Sequence, residues 1–395
     1  MAHEFAGKWR SLSLLMIAEI AAMSLWFMSA AILPDLSREF QITEFQQAAL
    51  SSAVQIGFVA GALASALLGL ADRIDPRHFF AASAILAAGF NASLLVVEPG
   101  GALSIAARFA TGVLLAGVYP VGMKIAVGWG QKDRGFLVGT LVGALTFGSA
   151  APHLLALLGG TDWRWSLTVA SLASAAGGIL CLATSLGPFH AKAQRMKLSA
   201  ITTAWTNRKI RYAYAGYLGH MWELYAMWAW IGVALAASFS VQMPWEEALP
   251  LSRLIAFLTI TAGGVACIGA GLVADKVGKA NIAILAMVIS CAAALASALS
   301  FGGPVWLVIL CALIWGAAIL PDSAQFSALV ADYAPADQAG SLMTFQTALG
   351  FALTFFTVQL TPLAADSIGW PVVFFVMALG PLAGIFGMLR LKALT

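Results

Sequence analysis

The sequence predicts an all-α membrane protein of twelve transmembrane helices, arranged as two pseudo-symmetric six-helix bundles. Three observations predict it. Of the 395 residues, 61% are hydrophobic and 10% charged, more apolar surface than a soluble globule of this size can hide. Apolar runs of about 20 residues, long enough to cross the hydrocarbon of a bilayer, recur along the chain. One short pattern also occurs twice. Glu19-Ile20-Ala21-Ala22-Met23-Ser24-Leu25-Trp26 reads E-x-x-A-M-x-x-W, and Glu223-Leu224-Tyr225-Ala226-Met227-Trp228-Ala229-Trp230 reads the same 204 positions later.

Six runs fall in the first half, at 12–33, 48–70, 79–97, 103–127, 136–158 and 165–186. Six more follow at 212–237, 251–274, 282–301, 305–330, 341–362 and 370–389. Lipid offers no partner to an open backbone, so each run is read as a helix. Span one contains Glu19, is too long for a secretory h-region and is followed by further spans, so it is expected to be retained. Span two ends at Gly69-Leu70-Ala71-Asp72-Arg73, and span three opens behind Asp75-Pro76. Span four carries Arg108 and ends near Lys124. Span five holds Gly139, Gly148 and Pro152 beside His153, a histidine read as structural. Span six starts behind Trp163-Arg164. In the second half, span seven carries His220 and Glu223, and span eight has Arg253 at its outer start and is followed by Asp275-Lys276. Span nine follows Lys279, span ten is broken by Pro321-Asp322, and span twelve starts at Trp370. Spans ten and eleven are the most polar.

The basic residues orient this ladder. With the N-terminus inside, seventeen of the 21 Lys and Arg residues fall on inner loops and helix ends; Arg38, Arg164 and Arg253 fall outside, and Arg108 lies within a span. Both termini are therefore expected in the cytoplasm. The net charge of +3 reflects this topology and implies no nucleic-acid partner. The one long polar connection divides the chain into an N-terminal bundle (1–188), a cytoplasmic central loop (189–211) and a C-terminal bundle (212–395). Its cations are read as topology and anionic-lipid contact. Cys181, Cys267, Cys291 and Cys311 all lie inside spans without C-x-x-C spacing, so neither a disulfide framework nor a metal site is implied, and no cofactor is expected. No H-E-x-x-H, G-x-S-x-G or G-x-x-x-x-G-K-[ST] occurs, which argues against an enzyme. A sensor is the more distant alternative; sensors often append a soluble domain, and none is expected here.

Two loops carry a family pattern. After span eight comes Gly271-Leu272-Val273-Ala274-Asp275-Lys276-Val277-Gly278-Lys279, which resembles the G-x-L-A-D-R-x-G-R-R loop of the major facilitator superfamily. After span two, Ala71-Asp72-Arg73 keeps the centre of that motif, while Asp75-Pro76 stands where Gly-Arg is usual. Asp72 and Asp275 are 203 positions apart, and Trp163 and Trp370 are 207 apart, close to the spacing of the two glutamates. Arg108-x-x-x-Gly112 in span four completes the resemblance, which covers the whole chain. It implies a secondary transporter working by alternating access. Asp72, Arg73, Gly271, Asp275, Lys276 and Gly278 then belong to gating loops. The glycines would permit close helix approach, and the aspartates would bond helix ends and cationic neighbours.

The family lines its central cavity with spans one, four, seven and ten. Apart from Arg253 at the outer start of span eight, the charged residues within spans fall on those helices: Glu19, Arg108, Glu223 and Asp322, with Lys124 near an inner end. A rise of about 1.5 Å per residue puts Glu19 roughly 10–12 Å and Glu223 roughly 16 Å from the cytoplasmic end of their spans. His220 shares a helix face with Glu223, as a proton carrier or a hydrogen-bonded spectator. Asp322 is either a cavity acid or the cap of a helix restarted after Pro321. Trp26, Tyr119, Met227, Trp230 and Gln325 continue the same stripes as cavity-lining residues, while Trp222 and Trp228 point to lipid or neighbouring helices.

An acid deprived of water favours its neutral form, which opens a route to proton coupling. Glu19 and Glu223 are expected to carry protons or contact solute, with Arg108 as their switchable counter-charge. The cavity carboxylates outnumber Arg108 and Lys124 by one, which favours a cationic, zwitterionic or neutral small organic solute, with Trp faces available to a cation. A small organic anion or carboxylate held by Arg108 is the alternative. The span-five antiporter pattern is incomplete, since Ala151 replaces a glycine, and span two carries no arginine of the nitrate type. The expected partners are the solute, protons and membrane lipids. A monomer in a bacterial inner membrane is expected.

Overall fold

Every regular element among the described residues is a helix, as expected for a chain that must satisfy its backbone inside each segment. The computed structural model describes residues 7–130, 133–190, 199–335 and 338–395, without the side chains of Asp72, Arg134 and Asp275. The central-loop cations Lys192, Arg195 and Lys197 and those three side chains lie outside the described set.

The chain divides into two units, Met1–Ala193 and Gln194–Thr395. The first contains α1 (Lys8–Met23), α2 (Met28–Glu39), α3 (Glu44–Leu68), α4 (Leu70–Arg73), α5 (Pro76–Ser93), α6 (Ala102–Leu115), α7 (Tyr119–Val127), α8 (Arg134–Gly159) and α9 (Trp163–Cys181). The second contains α10 (Ser199–Thr206), α11 (Arg208–Phe239), α12 (Trp245–Val277), α13 (Lys279–Ser300), α14 (Val305–Ala318), α15 (Ser323–Tyr333), α16 (Ala339–Ile368) and α17 (Trp370–Lys392). Part of the stretch read as a central loop is thus helical. Asn207 separates α10 from α11 and caps α11 by accepting bonds from the Lys209 and Ile210 amides.

Nine helical stretches among the described residues are long and apolar enough to cross a membrane. Spans three, six and seven are helical, as α5, α9 and α11, but fall outside that set. Each carries polar ballast: Arg77, His78 and Asn91 on α5, Arg164 and several serines on α9, and His220, Glu223 and a crowd of Tyr and Trp on α11.

Three spans are interrupted midway. Span one breaks between α1 and α2, where Ser24 Oγ donates to the Ala21 carbonyl (2.7 Å) and Trp26 N reaches only Met23 O (3.0 Å). Span four breaks between α6 and α7, ahead of Pro120, and span ten between α14 and α15, at Pro321. Proline lacks the N–H that would continue either helix. The span-four and span-ten breaks are repeat-related, at 116–118 and 319–322. Span seven runs unbroken as α11.

A second repeat pair holds the packing. A Cβ on Gly112 of α6 would collide with the Val54 carbonyl of α3, and one on Gly316 of α14 with the Thr259 carbonyl of α12. These glycines are 204 positions apart, the spacing of the two glutamates. The obstructing atoms are backbone, so relief requires the helices to separate. Gly112→Ala and Gly316→Ala are each expected to destabilise by about 1–3 kcal/mol, read as a fall in unfolding temperature. Gly269→Ala, with nothing within 4 Å of its added carbon among the described residues, is expected to hold or gain through helix propensity.

Asp75 has a local structural reason to stand where the family loop has glycine. Its Oδ1 accepts the Arg77 amide (2.9 Å), capping α5 ahead of Pro76, and Pro suits the first helical turn. Arg77 Nη2 bonds Oδ2 at 2.7 Å, while its Nη1 reaches the Thr184 carbonyl beyond α9 at 3.3 Å. The Arg77 hydrogen bonds hold the Asp75 carboxyl down at about 2. A depressed acid stabilises the fold above its unfolded-state value, near 4, and ceases to as pH falls through about 2. Asp75→Ala is therefore expected to cost about 1 kcal/mol near neutral pH. The gap from wild type should narrow in unfolding scans taken from pH 5 towards pH 2.

Candidate functional site

The two repeat-related glutamates are both sealed inside helices but differ in their surroundings. Glu19 on α1 is 0% exposed, and neither carboxylate oxygen has a hydrogen-bond partner among the described residues. Gly122 of α7 makes room for it, since a Cβ there would stand 2.5 Å from Glu19 Oε2 and 3.6 Å from the Phe80 ring. Glu223 on α11 is equally buried but saturated. Ser290 Oγ of α13 donates to Oε1 (2.7 Å) and Trp315 Nε1 of α14 to Oε2 (3.1 Å). Trp315 is held edge-on to Phe374, with ring centres 5.2 Å apart.

Arg108 on α6 is also 0% exposed, but it does not meet Glu19 as expected. Its Nη2 donates to the Leu25 (3.0 Å) and Trp26 (2.7 Å) carbonyls, its Nε to Leu50 O (3.3 Å) and its Nη1 to Asn91 Oδ1 (2.9 Å). Asn91 in turn donates to Ser171 Oγ at 2.9 Å. The break in span one frees the first two carbonyls from helical pairing, and a guanidinium fork collects them. In this arrangement Arg108 clamps spans one, two and three.

His220 and Asp322 do come together. His220 Nδ1 lies 2.9 Å from Asp322 Oδ1, with both side chains buried. The rings of Tyr217 and Phe326 flank the imidazole at 6.3 and 5.7 Å. Asp322 occupies the cap position of α15 but makes no side-chain cap bond; it faces the histidine instead. Gln325 is buried in the following turn.

Both tryptophans expected to line the cavity have contacts within their own unit. Trp26 stacks obliquely on Phe58 at 4.9 Å, and Trp230 donates to Val358 O of α16 at 3.0 Å. Met227 is buried and Tyr119 half-buried at the start of α7. Trp222 donates to Val376 O of α17, a neighbouring helix as expected.

In the loop motifs Arg73 and Lys276 are exposed. Apart from its chain neighbours and its own helix backbone, no atom among the described residues lies within 4 Å of a Cβ placed on Gly271. Gly278 ends α12 at φ +96°, a left-handed value that favours glycine. Each loop is tied to its unit by a lysine. Lys124 Nζ of α7 donates to Ala71 O (2.6 Å), and Lys279 Nζ pairs with Asp332 of α15 (2.6 Å). Gly122, Asn91 and Ser290 also escaped the sequence reading, because single small or neutral residues leave no pattern until a distant helix lands beside them.

Long apolar helices in repeat-related units, with Glu19 buried in the first and Glu223 and Asp322 in the second, mark a multi-pass membrane protein. The chain belongs to the major facilitator superfamily, whose sequence profile matches residues 15–357. It is similar in fold to the nucleoside transporter NupG, at 14% identity and a TM-score of 0.74 over 96% of this chain and 99% of that one. It is likewise similar to the xylose transporter XylE from E. coli, solved in a partially occluded inward-open conformation, at 12% identity and a TM-score of 0.74 over 98% and 99%. A comparison with curated proteins finds no match. The protein is a secondary transporter for a small-molecule substrate, not an enzyme.

Proposed function

We propose that this transporter couples solute movement to protons through Glu19, with Glu223 as its repeat-related partner acid. The observation that carries this reading is the complete burial of Glu19 without a hydrogen-bond partner. An ionised carboxylate so placed would be severely penalised, so the side chain must be neutral, or be met by water or a cationic solute group. The buried His220–Asp322 contact lies in the same unit as Glu223. The solute is a small organic molecule, neutral, zwitterionic or cationic. A nucleoside and xylose, the solutes in the names of the two solved relatives, are neutral and multiply hydroxylated, which supports the neutral class. Arg108 commits four N–H groups to protein oxygens, which counts against a carboxylate solute held there. The chain is proposed to cross a bacterial inner membrane twelve times, both termini cytoplasmic, and to work as a monomer.

The test is accumulation driven by a pH gradient in proteoliposomes. Wild type is expected to concentrate solute against its gradient and to lose this when the acids become amides. Accumulation that survives both Glu→Gln changes unaltered would overturn the coupling.

A further inference from the structure

One buried amide in the second unit is left unused by everything above. Gln346 on α16 is 1% exposed, and neither its Nε2 nor its Oε1 has a hydrogen-bond partner among the described residues. Leaving a buried amide unpaired costs about 1–3 kcal/mol per group, and folded proteins keep few such groups without a reason.

The surroundings of Gln346 follow from helix register. Tyr214 Oη of α11 bonds Leu342 O of α16, and Trp230 Nε1 bonds Val358 O; both pairs are separated by 128 positions. The same offset sets Gln346 level with Leu218, in the turn that carries Tyr217 and His220. One turn further along α16, Gly350 yields its side-chain space to the Tyr217 ring, whose Oη would lie 2.9 Å from a Cβ placed there. Tyr217 and Phe326 are 6.1 Å apart, and both flank the His220–Asp322 pair. An unpaired amide, two aromatic rings and an imidazole–carboxylate pair therefore occupy one level of the unit.

We propose that Gln346 is a solute-binding residue and that the solute is a neutral, multiply hydrogen-bonding molecule of the sugar, polyol or nucleoside kind. This rests on the transport reading above and narrows it. A glutamine amide offers two donors and an acceptor and carries no charge, so it rewards a partner that both donates and accepts. The acid at this level already faces His220, which leaves no isolated charge to select an ion. Tyr217 and Phe326 supply flat apolar faces of the kind that pack against a sugar or base ring.

The test uses the purified full-length protein with D-xylose, uridine and glycerol as neutral probes, and tetraphenylphosphonium and benzoate as charged ones. Wild type is expected to be stabilised against heat by at least one neutral probe and by neither ion. Gln346→Leu removes the unpaired amide, so its unfolding temperature without probe is expected to stay level or rise. Its affinity for the neutral probe is expected to fall about tenfold, the size of one neutral hydrogen bond. A structural glutamine would behave oppositely, with lower stability and unchanged affinity, and that result overturns the assignment. A wild type that answers only the charged probes, or no probe, overturns it too, as does undiminished neutral-probe affinity in Gln346→Leu at unchanged stability, the mark of a water-filled site. A neutral probe that binds through Gln346 but is not driven by a pH gradient would sink proton coupling and leave this assignment standing.

Discussion

Glu19→Gln is expected to abolish solute accumulation driven by a proton gradient while leaving exchange and downhill flux. Glutamine has the shape of a protonated glutamate, so the tight space against Gly122 and Phe80 is still filled. No hydrogen bond is lost, because the carboxylate makes none among the described residues. The variant is therefore expected to fold with wild-type yield, and the loss is confined to the ability to release a proton. Glu223→Gln is expected to act in the same direction by a different route. Its amide can keep accepting from Trp315 and turn its NH₂ towards Ser290, whose hydroxyl both donates and accepts. The two acids separate in the paired Leu variants. Glu223→Leu strands a buried indole N–H, at about 1–3 kcal/mol, whereas Glu19→Leu strands no polar group. Uptake into proteoliposomes with and without an imposed pH gradient reads the first effect, and thermal unfolding reads the second.

Arg108→Ala is expected to be among the most damaging single substitutions, at about 3–5 kcal/mol, and to prevent recovery of folded protein from membranes. The guanidinium is the donor for Leu25, Trp26 and Leu50 carbonyls and for Asn91 at once. Its removal leaves those acceptors buried and opens a cavity among three helices. Arg108→Lys keeps the charge, but a single ammonium cannot span the fork, so an intermediate loss of stability is expected. A solute-binding arginine would give another signature: Arg108→Lys would raise KM while the unfolding temperature stayed put. That outcome would restore the anion reading.

Much of this was visible in the residues alone, and the failures have common causes. The helices, the two-fold repeat and the family followed from apolar length and from motifs spaced by 203 to 207 positions. The presence of an acid in a long apolar run gave away Glu19 and Glu223 without revealing their company. Ser290 and Trp315 lie 67 and 92 positions from Glu223, and nothing local announces them. Arg108 was legible as a buried charge, but its partners are mostly backbone carbonyls, which every residue owns and no sequence pattern marks. Pro120 and Pro321 advertise two of the mid-span breaks. The break at Ser24–Phe27 has no proline, so it was invisible. Trp26 and Trp230 share a helical stripe with the acids yet pack on Phe58 and α16, since a stripe gives direction only and a large ring is as readily claimed by a neighbouring helix.

The interrupted spans constrain how the greasy surface can be interpreted. Where a helix lapses, amides and carbonyls lose their partners four residues away, and acyl chains have nothing to offer in exchange. Such a level survives only where protein covers it or water reaches it. Leu25, Phe27, Val118, Ile319 and Leu320 are as oily as anything on the outside, yet all are buried at the lapses. At these three depths an apolar side chain testifies to insulation of bare backbone from the bilayer, not to contact with it.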